Sequence, residues 1–548
     1  MYADLPTLTT AANWADLLDG AGQAALEAIL PGYIHPRRWF GSKSRRLAAA
    51  RIVEAIGLPD GAARAYLALV RLTYVEGDGE TYVLPLAFAT GAPAERLLRD
   101  LPHAAIARLD AGGTSGVLHD ALFDRELCGA LLDLIGGRGR LAGAGGELIG
   151  TTTRAFEQLR GAAGAELAPR VGTAEQSNTS IIYGDRLIMK LFRRLEPGLN
   201  PDLEIGRFLT ERGEFGHIPP TAGAIEYRAA GGEPSALAFL QGFVPNQGDA
   251  WSYTLRTLAQ SFERLPAGWP ATPPDMEPAS LLDLAGREIP PAARELAGAY
   301  LASAELLGRR TAELHLALSG DPGDPDFAPE PFGEQYRAAL YQSMRGRAAR
   351  SFQTLRAGLA ALPDSLHADA ERVLAAEPQV FERIRAAIEQ PIDAVRTRIH
   401  GDYHLGQVLY TGDDFYIIDF EGEPARPLSE RRVKSSPLQD VAGMLRSLHY
   451  APYAVLLGQA PGVTFVPERV AALEPWARFW HRWVSAAFLK SYLATTGPAP
   501  FLPPARGELH ALLDAYLLDK AIYELAYELN NRPTWVRIPL EGILQLVT

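Results

Sequence analysis

The sequence predicts an α+β protein with a mainly helical C-terminal part, and three observations lead to this class. Residues 65–75 and 81–86 are rich in strand-forming side chains and flank a short glycine-containing turn, which predicts a β-hairpin. Residues 169–245 combine strand patterns with one helix. From about residue 290 onward long helical patterns dominate, interrupted by a strand pair near residues 407–419.

Composition narrows the class of protein further. Of 548 residues, 47% are hydrophobic and 22% are charged, which is typical of a folded globular chain. Lys+Arg 53 against Asp+Glu 65 gives a net charge of −12, so we expect neither nucleic acid nor an anionic membrane surface as a partner. Cys128 is the single cysteine, which excludes an intrachain disulfide. With no apolar run of about 20 residues and no signal-like start, the sequence predicts a cytoplasmic protein without membrane spans.

Shifts in composition predict four segments along the chain. Residues 1–100 form a small α+β unit, and residues 101–168 are rich in Gly and Ala, with the weakest periodic pattern. We interpret that second segment as an intermediate subdomain. Residues 169–245 hold strands and one helix, and residues 246–548 are mostly helical.

The segment from His400 to Glu421 contains the most informative pattern in the chain. Two apolar runs flank a four-residue turn, Thr411 to Asp414, which predicts a second hairpin. Pairing Tyr410 with Phe415 brings Gln407 opposite Ile418 and therefore beside Asp419.

This hairpin gathers an amide and two acids at one end, because Asp402 lies on the loop that enters it. Gln407 and Asp419 offer hard oxygen donors of the kind that Mg²⁺ prefers, which leaves Asp402 to address a substrate hydroxyl. Protein kinases place a catalytic Asp, an amide ligand five residues later and a metal-binding Asp after the next strand in the same order. Either acid alone would be ordinary at a turn or strand end, but the three at this spacing predict phosphoryl transfer.

Metallophosphoesterases offer an alternative interpretation of the same residues. The run Gly401-Asp402-Tyr403-His404 also fits a metal-binding core of such enzymes, which do not use ATP. The further Asp-x-His and Gly-Asn-His ligands that paired metals require are absent from the sequence.

A nucleotide-binding half is predicted upstream. A hairpin over residues 180–192, with a Gly-Asp turn, places Lys190 on its second strand. Asn200 and Pro201 predict the start of a helix, and Glu204 in its first turn is the predicted ion-pair partner of Lys190. Alternatively, the Lys190 side chain simply extends to solvent.

Other groups on this half are predicted to contact ATP. The loop before the hairpin lacks Gly-x-Gly-x-x-Gly, so phosphate contacts would come from Ser177, Asn178 and Thr179. The strand that ends near Gln241 and Phe243 resembles a last strand before an interlobe hinge, where main-chain groups would bind adenine.

Several stretches resemble the bacterial maltokinases of the eukaryotic-like kinase superfamily. The matching stretches are 38–43, 175–180, 190–194, 400–407, 419–427, 436–446 and 531–533. The resemblance implies a bilobal protein-kinase-like fold, with residues 1–100 as an N-terminal cap subdomain, 169–245 as the nucleotide lobe and 246–548 as the helical lobe. It also implies ATP- and Mg²⁺-dependent phosphorylation of maltose at its anomeric hydroxyl. The maltose 1-phosphate produced would feed α-glucan (glycogen) synthesis, with trehalose synthase as a functional partner that supplies maltose.

A helical stretch over residues 511–529 is the predicted sugar-binding element. Lys520, Tyr523, Glu524 and Tyr527 recur at helical spacing and share one face, where charged groups and aromatic rings suit a sugar. The same pattern also fits an ordinary amphipathic helix with a Lys520–Glu524 pair. We predict that His404 and Glu421 contact the substrate too.

Two questions stay open at this point. Asp440 either braces the catalytic loop, as an Asp does in related kinases, or is a favourable acid in the first turn of a helix. The acceptor is either maltose or another sugar, such as glucosamine or an aminoglycoside, and a non-catalytic pseudokinase is a further alternative.

Overall fold

The computed structural model describes residues 5–547 except residues 21, 59–64, 163–166, 173–177, 266–269, 271, 275, 322 and 425. The chain forms two compact units, Met1–Pro245 and Asn246–Thr548. The first unit combines strands and helices and the second is mainly helical, which confirms the predicted α+β class.

The first unit contains two sheets and a few helices. Its strands are β1 (Thr7–Thr10), β2 (Leu47–Gly57), β3 (Tyr66–Tyr74), β4 (Glu80–Thr90), β5 (Ala105–Ala111), β6 (Thr114–Asp120), β7 (Arg140–Ala142), β8 (Gly146–Thr152), β9 (Pro169–Val171), β10 (Asn178–Tyr183), β11 (Leu187–Phe192), β12 (Arg194–Leu195), β13 (Thr221–Ala229) and β14 (Pro234–Gly242). Its helices are α1 (Asp16–Asp19), α2 (Gln23–Ile34), α3 (Gly91–Asp100), α4 (Arg125–Gly136), α5 (Phe156–Arg160) and α6 (Pro201–Arg212).

Each sheet has seven strands. The first has the order β1-β5-β6-β4-β3-β2, with β12 paired to β4, and the second has the order β7-β8-β13-β14-β11-β10-β9. The antiparallel β3–β4 and β10–β11 pairs confirm both hairpins predicted in this half. Residues 101–168, predicted as an intermediate subdomain, supply β5 and β6 to the first sheet and β7 and β8 to the second. These strands therefore do not form a sheet of their own.

Side chains from both sheets share one apolar core. Leu69 from β3, Leu131 from α4 and Met189 from β11 are members of a single buried cluster. At its edge, Arg193 directly follows β11 and pairs with Asp120 at 2.8 Å, with both side chains almost fully buried. The end of the strand that carries Lys190 is therefore tied to the first sheet.

The second unit is built around long helices. Its helices are α7 (Ala250–Arg264), α8 (Leu281–Ala285), α9 (Pro291–Ala297), α10 (Tyr300–Leu318), α11 (Glu334–Gly358), α12 (Asp364–Ala375), α13 (Glu377–Glu389), α14 (Leu428–Arg431), α15 (Leu438–Leu456), α16 (Pro467–Thr496), α17 (Arg506–Asn531) and α18 (Arg537–Val547). Its short strands are β15 (Glu330–Pro331), β16 (Val395–Arg396), β17 (Val408–Tyr410) and β18 (Phe415–Ile417). Along the described stretches, no helix combines the length and apolarity needed to span a membrane.

The predicted catalytic hairpin is present in the second unit with the predicted register. Strands β17 and β18 pair Tyr410 with Phe415 and Val408 with Ile417. The Ile418 amide donates to the Gln407 carbonyl oxygen at 3.0 Å, so Gln407 lies opposite Ile418 as expected.

Candidate active site

Helix α15 supports the loop that carries Asp402. The Asp440 carboxylate accepts the backbone amides of His400 at 2.7 Å and Gly401 at 2.9 Å. Burial raises the pKa of Asp440, but the hydrogen bond from His315 and the charges around it hold that pKa below its usual range. Of the two interpretations of Asp440, the structure supports the one in which it braces the loop.

Two further residues of α15 contact the same loop. Gly443 approaches so closely that a Cβ atom there would lie 2.5 Å from the Tyr403 carbonyl oxygen. One turn later, Ser447 accepts the Leu405 amide at 3.2 Å. The loop therefore rests on one helix face through Asp440, Gly443 and Ser447.

Asp402 itself lies between two cationic or polar side chains. Its Oδ1 is 3.5 Å from the Lys520 ammonium, and its Oδ2 is 3.9 Å from His404 Nε2. The surrounding protein and the nearby Lys520 charge lower the pKa of His404, although Asp402 opposes this shift. Because His404 Nδ1 accepts the Gly406 amide at 3.0 Å, the neutral ring carries its proton on Nε2. This places an N–H donor and a carboxylate acceptor side by side.

The predicted metal ligands lie at one end of the hairpin. Gln407 ends the short helical turn Leu405–Gln407. Asp419 has a φ of 71°, a left-handed conformation in which Asp is one of the few tolerated non-glycine residues. Carboxylate oxygens of Asp419 and Glu421 lie within 4.8 Å of each other. An amide oxygen and carboxylates form a hard donor set that fits Mg²⁺.

A cavity of about 440 Å³ opens beside Asp402 in the second unit. All four residues predicted on the sugar helix line it, namely Lys520, Tyr523, Glu524 and Tyr527, and so does His404. Glu421, predicted as a sugar contact, is not among the described residues that line this cavity.

Sequence reasoning missed other residues of this cavity. Trp251, Tyr450, Glu528, Arg532 and Trp535 also line it. They come from α7, α15, the end of α17 and the turn after it, so their meeting depends on tertiary packing. Two signals were available, the helical spacing of Glu528 four residues after Glu524 and the family-like stretch 531–533, which contains Arg532.

Each carboxylate of the cavity wall has a cationic partner. Glu524 is bonded by Arg446 at 2.6 Å, Glu528 by Arg532 at 2.6 Å, and Asp402 faces Lys520. The wall is therefore balanced in charge, and aromatic rings cover much of the remainder.

In the first unit, Lys190 pairs with a different acid from the one predicted. Its ammonium lies 2.7 Å from Asp202 Oδ2, whereas the prediction named Glu204. Helix α6 does begin at Pro201 with Asn200 as its cap, as expected. Side chains two positions apart on a helix point about 200° apart, so only one of the two acids can face β11. Asp202 is fully buried and takes that position.

The three residues predicted to contact the phosphates of ATP, Ser177, Asn178 and Thr179, lie at the start of β10 or just before it. Ser177 lies outside the described residues, and Asn178 opens β10 opposite Phe192. The Thr179 side chain is buried and accepts Arg193 Nε at 2.9 Å, so the predicted phosphate contact by its hydroxyl is wrong for this conformation. The strand period of two turns that side chain inward.

At the predicted adenine site, one main-chain donor is already used. The Phe243 amide donates to the Arg186 carbonyl oxygen at 2.8 Å, and Gln241 lies buried on β14 opposite Ile188. The main-chain carbonyl oxygens near Gln241 and Phe243 therefore remain the predicted contacts for adenine.

Comparison with protein families gives two matches. Residues 166–509 match the family model described as "Phosphotransferase enzyme family". Residues 33–124 match the one described as "Maltokinase N-terminal cap domain".

Individual relatives are more distant. A glucosamine kinase from Streptacidiphilus jiangxiensis is 26% identical over 67% of this chain and 70% of its own. One from Mycolicibacterium smegmatis is 24% identical over 71% of this chain and 82% of its own. A solved structure, "Glucosamine kinase in complex with glucosamine, ADP and inorganic phosphate", has a TM-score of 0.61 at 19% identity and covers 98% of this chain and 100% of that one. This likeness establishes the kinase-like fold.

Proposed function

The chain belongs to the phosphotransferase enzyme family and carries a maltokinase N-terminal cap domain, and on this basis we propose that it transfers the γ-phosphate of ATP to a hydroxyl of a small sugar. One observation carries the proposal. Asp402 lies at the wall of a cavity of about 440 Å³, within 3.5 Å of Lys520 and beside the aromatic rings of α17. Charged hydrogen-bonding groups next to flat rings are the chemistry that recognises a sugar.

Asp402 acts on the acceptor hydroxyl by orientation. Phosphoryl transfer has a loose transition state, so positioning and charge stabilisation supply most of the rate enhancement. An ordinary carboxylate is too weak a base to ionise a sugar hydroxyl early. Asp402 therefore accepts its hydrogen bond, aims the oxygen and takes the proton late, while His404 Nε2–H donates to a neighbouring sugar oxygen.

Gln407 and Asp419 are the residues that would hold Mg²⁺. The ion supplies charge neutralisation on the β- and γ-phosphates when it is bound. Glu421, whose carboxylate lies near Asp419, would add negative charge for the cation.

In the first unit, Lys190 is the proposed phosphate contact. Its ion pair with the buried Asp202 fixes the position of the ammonium beside strand β11. Main-chain carbonyl groups near Gln241 and Phe243 are the proposed adenine contacts.

Maltose is the proposed acceptor, at its anomeric hydroxyl. The volume of about 440 Å³ exceeds that of a single sugar ring, and five aromatic residues line the wall, namely Trp251, Tyr450, Tyr523, Tyr527 and Trp535, which suits stacking against two rings. Because each wall carboxylate is paired with a cation, a neutral sugar fits the charge of the site. The product would enter α-glucan synthesis, with trehalose synthase supplying maltose, and we propose the cytoplasm as the compartment because ATP is supplied there.

Glucosamine is the second candidate, because the relatives named above are glucosamine kinases. Each wall carboxylate already has a cationic partner, so we expect the ammonium of glucosamine to gain less there than on an unpaired carboxylate.

Phosphorus NMR of the products formed from ATP and Mg²⁺ with maltose or glucosamine tests the proposal. We expect an anomeric phosphate signal and ADP release with maltose, and weaker turnover with glucosamine. Preferential phosphorylation of glucosamine would move the acceptor to the second candidate. Absence of ADP release with any sugar would indicate a pseudokinase, and hydrolysis of a phosphate ester without nucleotide would indicate a phosphoesterase.

A further inference from the structure

A buried arginine lies behind Glu524, one of the residues that line the proposed sugar cavity. Arg446, on α15, is 4% exposed and is absent from the residues that line the described cavity. It lies two turns beyond Asp440, on the helix that braces the catalytic loop. Its guanidinium group nevertheless reaches the cavity wall through Glu524.

The contact between Arg446 and Glu524 leaves one carboxylate oxygen for a ligand. Arg446 Nε and one terminal nitrogen donate to the same oxygen, Glu524 Oε2, at 2.9 and 2.6 Å. Glu524 lines the cavity with a side chain that is 12% exposed. Glu524 Oε1 is therefore available as a hydrogen-bond acceptor, and the contact between Arg446 and Oε2 sets its direction.

The remaining terminal nitrogen of the guanidinium group is also held by a hydrogen bond. The other terminal nitrogen donates to His449 Nδ1 at 2.7 Å, and since arginine can only donate, this imidazole nitrogen carries no proton. The His449 ring packs on His481 with ring centroids 4.5 Å apart. On the far side, a Cβ atom at Gly542 would lie 2.2 Å from the same guanidinium nitrogen. Only glycine at this position of α18 leaves room for the arginine.

We infer that Arg446 is a positioning residue for acceptor recognition: held between His449 and Gly542, it fixes Glu524 so that Oε1 accepts a hydrogen bond from a sugar hydroxyl. The inference rests on the proposed sugar kinase function and names a set of residues, outside the cavity, that would govern acceptor affinity. Two charge-assisted donors on a single oxygen matter here because they occupy Oε2 and leave Oε1 for the ligand.

Two single variants disturb this arrangement in different ways. Arg446→Lys keeps the positive charge but loses the fork, and Gly542→Ala keeps both partners but pushes the guanidinium aside. For each we expect the KM for the sugar to rise at least about tenfold, the range of a hydrogen bond to a charged group. The KM for ATP should stay within about twofold of the wild type. Gly507→Ala is the matched control, because a Cβ atom on this exposed residue of α17 meets open space.

A double-mutant cycle separates positioning from a structural role. If Arg446 acts through Glu524, then Arg446→Lys with Glu524→Gln should raise the sugar KM no more than Glu524→Gln alone. Additive effects, or equal changes in both KM values together with a lowered Tm, would overturn the inference. A wild-type enzyme inactive towards every sugar would instead refute the proposed function, so the two failures are distinguishable.

Discussion

His400 links the loop that carries Asp402 to the strand that precedes Asp419. Its Nε2 donates to the Ile418 carbonyl oxygen at 2.9 Å, which leaves Nδ1 facing the Asp402 amide at 3.4 Å. In the sequence, His400 opens the segment that carries the predicted catalytic Asp, but its role could not be predicted because the contact with Ile418 depends on how the loop folds back. His400 thus connects the loop that carries the proposed catalytic acid to the strand end that carries the proposed metal-binding acid.

Two other histidines make the protein sensitive to acid. Burial, with help from the neighbouring Arg446 and Arg482, lowers the pKa of His481 to about 3. His449, packed against it, has a pKa lowered in the same direction and chiefly by burial. Since unfolding returns each ring to a pKa of about 6.5, the unfolded state binds more protons between the two values.

We therefore expect these two histidines to leave the free energy of unfolding unchanged above about pH 6.5. Below that it should fall as the pH drops towards 3, by up to about 1.4 kcal/mol per pH unit for His481 alone. Thermal unfolding between pH 7.5 and 5 measures this. His481→Phe, which cannot be protonated, should flatten the decline of Tm with falling pH, whereas His103→Gln at an exposed position should not. Equal slopes in the wild type and His481→Phe would contradict the assignment.

At the scale of elements, local pattern was enough to predict the hairpins and not enough to predict their partners. The predicted register of β17–β18 is confirmed, with Tyr410 opposite Phe415. The β10–β11 hairpin is present, but Tyr183 pairs with Leu187, so its turn is one residue longer than the predicted Gly-Asp turn. The partner of Lys190 was predicted as Glu204 but is Asp202, because tertiary packing decides which face of the helix is turned towards β11. Likewise the strands within residues 101–168 join two sheets, which a glycine-rich segment does not reveal.

Helix α15 is the element on which the catalytic loop depends most directly. Gly443→Ala would place a methyl group 2.5 Å from the Tyr403 carbonyl oxygen and force the loop away from the helix. We expect kcat to fall at least about tenfold, since displacement of a catalytic group by about 1 Å costs that much or more.

Gly129→Ala on α4, where a Cβ atom has open space, is the control for that substitution. Circular dichroism would verify that both variants fold. Unchanged turnover in a folded Gly443→Ala variant would show that α15 does not set the position of Asp402.

At the scale of the whole molecule, each compact unit carries one part of the proposed chemistry. The first unit holds Lys190 on a sheet tied by the buried Arg193–Asp120 pair, and the second holds the loop that carries Asp402 and the proposed sugar cavity. The α+β class and the cap were predictable, because they follow from patterning and from resemblance over nearly the whole chain. The residues that complete the cavity wall were not predictable, because Trp251 and Trp535 are far apart in sequence and come together only in the fold.

Turnover of Asp402→Asn with maltose, ATP and Mg²⁺ tests the central claim most directly, with ATP binding measured alongside. Asparagine keeps the shape of the side chain but cannot take the hydroxyl proton. We predict a loss of turnover of at least about 100-fold with ATP affinity within about twofold of the wild type. Turnover comparable to the wild type would contradict the assignment of Asp402.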